Sequence, residues 1–418
     1  MRWGVLITVV LLGALGLRPL EAQSEYEVLL KGGHVIDPRN GIDGVMDVAI
    51  ASGKIARVAS DIAVAGARQI VDARGLHVTP GAVDLHGHVF YGTDPDAYLS
   101  DGISSVPPDG FTFRAGVTTV VDAGGAGWRN FPQFKRQVID RSATRVLCFL
   151  NIVGHGMKGG AAEQDLADMN PRLTAQRVRQ FPGVIVGIKT AHYRGPEWDA
   201  VDRAVEAGRL ADVPVMVDFG TFGPDRPFEE LVLERLRPGD IYTHQYRRDV
   251  PMLDANGKVR EYLFQARKRG VLFDVGHGSG SFSFFQAVPA VAQGFVPDSL
   301  GTDLHTSSMA GGMKDMTNLM SKFLNLGMSL PDVVLRATWN SAQIIKRTDL
   351  GHLSEGAVAD VAVFRLVKGE FGFLDDRLTR LKGDRRLECE LTLREGRVVW
   401  DLNGLAGRDW DAPSEGSR

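Results

Sequence analysis

The sequence predicts an α/β protein: a (β/α)8 barrel of the TIM type carrying a small β-sandwich domain formed from both chain ends. Three observations predict it. Eight short apolar, β-branched runs recur through the middle of the chain, most of them followed by a helical pattern. Strands buried on both faces and alternating with helices form a parallel sheet, and eight such units over about 265 residues match the ~250 residues usual for this barrel. Both termini read differently, as short alternating strands with Gly-marked turns.

In chain order, residues 1–22 have the layout of a secretory signal peptide. Arg2 precedes an apolar run from Gly4 to Leu17, then come Arg18-Pro19 and the small residue Ala22. The run is short of the ~20 apolar residues of a spanning helix. Cleavage leaves no stable membrane span and an exported, periplasmic or secreted protein; an uncleaved anchor is the alternative, and Leu20 at the −3 position is a departure from the usual cleavage site. Residues 23–80 and 347–418 are expected to form the small β domain, with Gly32-Gly33, Ser52-Gly53 and Arg74-Gly75 marking turns. The barrel is expected over 81–346. Its strands are 82–88, 118–124, 145–152, 184–189, 213–220, 240–244, 271–277 and 299–303, with helices such as 129–141, 174–181, 197–211 and 258–269 between them. The Gly-, Pro-, Asp- and Ser-rich stretch 90–112 is a candidate lid.

The charge balance, Lys+Arg 48 against Asp+Glu 51 for a net −3, contains no basic field and argues against nucleic acid as a partner. Cys148 and Cys389, the two cysteines, rule out a disulfide scaffold or a Cys₄ zinc site and read as separate buried thiols. No G-x-S-x-G elbow, H-E-x-x-H or P-loop occurs.

A barrel of this type places its active site at the C-terminal ends of its strands. His86 and His88 end the first strand and, two residues apart, point to one side, with Asp84 a layer below. Lys189, Asp218, His244, His277 and Asp303 end five later strands, and His155, His192 and His305 lie in loops just beyond. Imidazoles and carboxylates converging on one mouth are zinc ligands. Lys189 is the odd member, because an ammonium would repel the cations. Held neutral by burial, it can add carbon dioxide and become an anionic, bidentate carbamate.

The segments TPGAVDLHGH, GIKTAH, IYTH, FDVGHGSGSF and TDLH resemble the amidohydrolase superfamily, and within it the dihydroorotase-like amidohydrolase/deacetylase subgroup, including acetylmandelate-type deacetylases. The resemblance spans nearly the whole chain. It implies two divalent ions, taken as zinc, with His86 and His88 on the more buried ion, a carbamate on Lys189 bridging both, and His244 on the second. Asp303 would bind the first ion and act as proton shuttle. One departure stands out: such sites commonly carry a histidine at the end of the fifth strand, where this chain has Asp218. Asp218 as a ligand is the preferred resolution; His277 reaching in, or a weak second site, are the others. His277, His192, Tyr193 and His305 are otherwise assigned to substrate binding.

The implied reaction is hydrolysis of a small acyl ester or acyl amide by attack of a metal-bridging hydroxide. Arg194, Lys314, Arg247, His192 and His305 are candidates to meet a substrate carboxylate, and Tyr193 and Tyr91 to donate hydrogen bonds. Three alternatives remain: a cyclic-amide hydrolase of the dihydroorotase or hydantoinase type, a catalytically inactive exported ligand-binding barrel, and a single-metal deaminase, against which Lys189 counts. The partner expected is a small-molecule substrate, and the sequence leaves a homo-oligomer open.

Overall fold

The structure, a computed structural model, describes residues 25–218 and 222–411. The segment 1–22, expected to be a signal peptide, lies outside the described residues. Among these residues no helix is long and apolar enough to cross a membrane.

Among the described residues sixteen strands follow one another along the chain. The first five are β1 (Tyr26–Asp37), β2 (Ile42–Ala51), β3 (Lys54–Ala59), β4 (Ala67–Asp72) and β5 (His77–Pro80). Then come β6 (Ala82–Gly87), β7 (Tyr91–Asp94), β8 (Val117–Gly127), β9 (Arg145–Asn151) and β10 (Ile185–Thr190). The remainder are β11 (Val215–Val217), β12 (Ile241–Tyr242), β13 (Leu272–Phe273), β14 (Val361–Leu374), β15 (Arg380–Arg394) and β16 (Arg397–Asp401).

The chain ends meet in one mixed sheet, β16-β15-β14-β5-β1-β2-β3, with β4 branching from β1. The pairing of β5 with β14, Val78 opposite Val363, joins the N-terminal to the C-terminal strands. Leu30, Val35, Val48, Val78, Val361 and Leu391 share its buried core. The strand pairing joins these segments into one branched sheet. Cys148 and Cys389 are free and buried, each in its own strand.

The second sheet is parallel throughout, in the order β13-β12-β11-β10-β9-β8-β6. Strands β6, β8 and β10 are buried at every position, as parallel strands covered on both faces must be. The intervening helices include Pro171–Gln180, Asp199–Ala211 and Glu261–Lys268. Asn170 caps the first by accepting from the amides of Arg172 and Leu173, which would otherwise lack partners.

The eighth strand expected at 299–303 is not a regular strand. The segment still bridges both edges of the parallel sheet, through Asp274 with Ser299 and Gly87 with Leu304. The amides of Val275 and His277 donate to the carbonyls of Ser299 and Gly301, and that of His88 to Leu304. The ladder is interrupted because buried carboxylates take its donors. Asp274 accepts from the Gly301 amide at 2.8 Å and Asp84 from the Thr302 amide at 3.0 Å. The stretch 90–112, expected as one loop, contains β7 and a short helix, Asp109–Thr112.

Asp84 also accepts from the Thr302 hydroxyl and the His86 amide, tying the closing segment to β6. Asp84→Ala is therefore expected to lower the unfolding free energy of the metal-free protein by about 1–3 kcal/mol. Urea unfolding followed by circular dichroism measures this; an unchanged midpoint and slope would show that the carboxylate does not hold the ring closed.

Candidate metal centre

The predicted strand-tip groups meet at one end of the parallel sheet. His86 lies in β6 and His88 just past it, Lys189 lies in β10, Asp218 follows β11, His244 follows β12, and Asp303 lies in the closing segment. All six are buried. The Lys189 amine is 3.3 Å from His86 Nε2. Asp303 Oδ1 lies 2.9 Å from His88 Nε2 and 3.7 Å from His86 Nε2. The His86 and His244 rings are 5.0 Å apart at their centroids. Asp218 Oδ2 is 3.3 Å from His244 Nε2. Donor atoms of His86, His244 and Asp303 all lie within 4.8 Å of one another, a span one ion can draw together.

Hydrogen bonds behind the imidazoles set which nitrogen faces the centre. The Thr243 hydroxyl donates to Asp274 at 2.8 Å, so its oxygen accepts from His86 Nδ1 at 2.9 Å. His244 Nδ1 lies 2.5 Å from the Gly276 carbonyl. Both Nε2 atoms are thereby left with a lone pair facing inward, as metal binding requires. His88 Nδ1 is buried and has no hydrogen-bond partner among the described residues. Donor atoms of His86 and His244 gathered with the Asp303 carboxylate fit a cation.

Close packing fixes these groups. Gly124 has φ +96°, and a Cβ there would lie 2.7 Å from Lys189 Cγ. At Gly276 a Cβ would lie 2.7 Å from His244 Nδ1. His192, His244 and Asp303 all have left-handed backbone, with φ of 59°, 62° and 53°. For residues with a side chain each costs about 1–3 kcal/mol, strain that concentrates at functional sites.

Electrostatics agree with a cation-binding role. Burial lowers the pKa of the Lys189 amine. Burial, followed by Lys189, pushes His86 down to about 3, which keeps it neutral. Burial alone would raise Asp303, but His305, its largest counter-influence, holds it well below the usual carboxylate range. Asp218 is held low against burial chiefly by His244, then by His192.

The other predicted residues are distributed unevenly. His192 is partly exposed and lines a cavity of about 870 Å³ with Tyr98, Lys158, Glu163 and Arg194. His305 is buried against the centre, its Nδ1 3.4 Å from Asp303 Oδ1 and 2.7 Å from the Asp303 carbonyl. His277 is fully buried and turned to a different partner: Nε2 lies 2.6 Å from the Lys322 amine, and the ring stacks on Phe282. Tyr193 is buried and its hydroxyl donates to Glu197. Asp274, Thr243, Glu163 and Lys322 were not singled out by the sequence. Asp274 carried a usable signal, an acid inside an apolar strand that must be paired if buried; Glu163, in an aperiodic loop, carried none.

No family model matches the chain. The chain is 34% identical over 351 residues to the deacetylase Atu3266 of Agrobacterium fabrum, covering 79% of this chain and 81% of that protein. Among solved structures it is similar to an adenine deaminase, with a TM-score of 0.81, 26% identity and coverage of 90% of this chain and 100% of the other. It is also similar to a dihydroorotase, with a TM-score of 0.76, 30% identity and coverage of 90% and 99%.

Asp274 stands behind His86, with Oδ2 3.5 Å from Nδ1, and also receives the Ser299 hydroxyl at 2.6 Å. Partners of this kind orient a ligand and raise its basicity. Asp274→Asn is expected to weaken divalent-metal affinity by about 10–100-fold, read by chelator competition. Wild-type affinity would show that His86 needs no such support.

Proposed function

Since this chain belongs to the amidohydrolase superfamily and shares a family with its deacetylase relative, we propose that it is a zinc-dependent hydrolase releasing the acyl group from a small acyl ester or acyl amide. The observation that carries this reading is Lys189: fully buried, its amine beside His86 Nε2, and with no carboxylate within 4 Å among the described residues. A charged amine there is costly. The neutral amine can attack carbon dioxide, forming one N–C bond and releasing one proton, and the resulting carbamate would supply an anion for the two cations.

His86, His88 and Asp303 would hold one ion, and His244 and Asp218 the other, with Lys189 between them. Such ions supply a nucleophilic water near neutral pH and polarise the acyl carbonyl. The residues of the chain do the rest. Asp303, kept ionised and touching His88 Nε2, can accept the proton from the water and return it to the leaving group. Protonation of the leaving group matters more for an amide than for an ester. His305 steadies the Asp303 carboxylate. The cavity beside His192 has Lys158 and Arg194 on its wall, cationic groups suited to a carboxylate on the substrate. We read the ring completed by 299–304 as the (β/α)8 barrel over 81–346, the chain-end sheet over 23–80 and 347–418 as the sandwich, and residues 1–22 as an export signal.

The similarity to a dihydroorotase structure makes ring opening of a cyclic amide the second reading. A panel of acyl esters, acyl amides and cyclic amides separates the two: acetate release supports the deacylase, and ring opening without it supports the second. Asp303→Asn is expected to keep most of the metal while lowering kcat by about 10²–10⁴-fold; near-normal turnover would remove Asp303 from the proton path. Lys189→Ala is expected to lose metal, with partial recovery of metal and activity in added short carboxylic acids. Full metal content in this variant without any additive would argue against a bridging role.

A further inference from the structure

We propose that His192, oriented by Glu163, is a ligand of the second divalent ion and completes that site together with Asp218 and His244. The inference deepens the hydrolase reading and rests on it. His192 comes from the loop after β10 and lies outside the set of strand-tip ligands.

Asp218 Oδ2 faces two imidazole nitrogens, His244 Nε2 at 3.3 Å and His192 Nε2 at 3.5 Å. Each ring is held from behind. The Gly276 carbonyl takes His244 Nδ1 at 2.5 Å, and the Glu163 carboxylate takes His192 Nδ1 at 2.6 Å. With both Nδ1 atoms donating, both Nε2 atoms present lone pairs to an ionised carboxylate. In the neutral rings three acceptor atoms converge on one point, an arrangement that a divalent cation fits. The other Asp218 oxygen, Oδ1, is buried with no hydrogen-bond partner among the described residues, 3.6 Å from Arg247 Nη1.

The chain invests structure in placing His192. Glu163 is almost fully buried and also accepts from the Gly159 amide at 2.7 Å, so its carboxylate is fixed before it meets the ring. Gln164 next to it donates to the His192 carbonyl at 2.9 Å and accepts from the Arg194 amide at 2.9 Å, clamping the loop. His192 itself holds a left-handed backbone, φ 59°. A carboxylate behind an imidazole whose far nitrogen faces a possible ion is the usual support of a histidine ligand. The ring also forms part of the wall of the 870 Å³ cavity, so this ion would be the one that meets the substrate.

Metal analysis of the full-length zinc-loaded protein, with chelator competition and the d–d spectrum of the cobalt-substituted form, tests the assignment. Wild type is expected to hold two ions per chain. His192→Ala is expected to keep one ion and lose the second, with loss of one cobalt's share of the spectrum. Glu163→Gln is expected to keep both ions but bind the second about 10–100-fold more weakly. Near-ultraviolet circular dichroism reports that each variant is folded. Two ions at wild-type affinity in folded His192→Ala, with only KM raised, would overturn the proposal and make His192 a substrate contact. One ion per chain in wild type would overturn it too while leaving a metallohydrolase. No metal in wild type would overturn the hydrolase reading itself.

Discussion

A lysine amine with no exposed surface, 3.3 Å from an imidazole nitrogen and without a carboxylate in salt-bridge range among the described residues, is costly to keep as an ordinary ammonium. The rest of the site is arranged around that constraint. Burial favours the neutral amine, and a neutral amine can become an anion by taking up carbon dioxide. The same dry surroundings keep His86 neutral and leave Asp303 and Asp218 ionised through their imidazole neighbours. Imidazoles and carboxylates gathered in this way, with the carbamate proposed on Lys189, make a donor set suited to cations.

The fold meets this constraint by using carboxylates as backbone partners. Asp84 and Asp274 take the amides of Thr302 and Gly301 that a regular eighth strand would give to its neighbour. This releases the segment from strand geometry, so that Asp303 can adopt φ 53° and turn its side chain towards His88. Asp274 also receives Thr243, whose oxygen receives His86. Ring closure and ligand orientation are thus performed by the same buried acids, and a change that loosens one disturbs the other.

Much of this was legible in the sequence. Apolar β-branched runs bounded by turns located the seven strands of the parallel sheet, because strands buried on both faces leave an unbroken apolar signature. The placement of His86, His88, Lys189, Asp218, His244 and Asp303 followed from their position at the ends of those runs, and the structure brings all six together. What was not legible depends on contacts between residues far apart in sequence. SLGTD reads as a strand, but nothing local reveals that Asp84, 218 residues earlier, takes its amides. His277 ends an apolar run like the others, yet Lys322, 45 residues later on a helix, takes its Nε2. Glu163 has no periodic context, so its grip on His192 is visible only in three dimensions.

Carbon-13 NMR of the zinc-loaded protein equilibrated with ¹³C-bicarbonate addresses the buried lysine directly. One carbamate carbon per chain, absent in a protein whose Lys189 is replaced by alanine, is the predicted result. A folded, metal-replete protein that takes up no carbon dioxide on Lys189 would contradict it, and with it the pairing of two cations across that side chain.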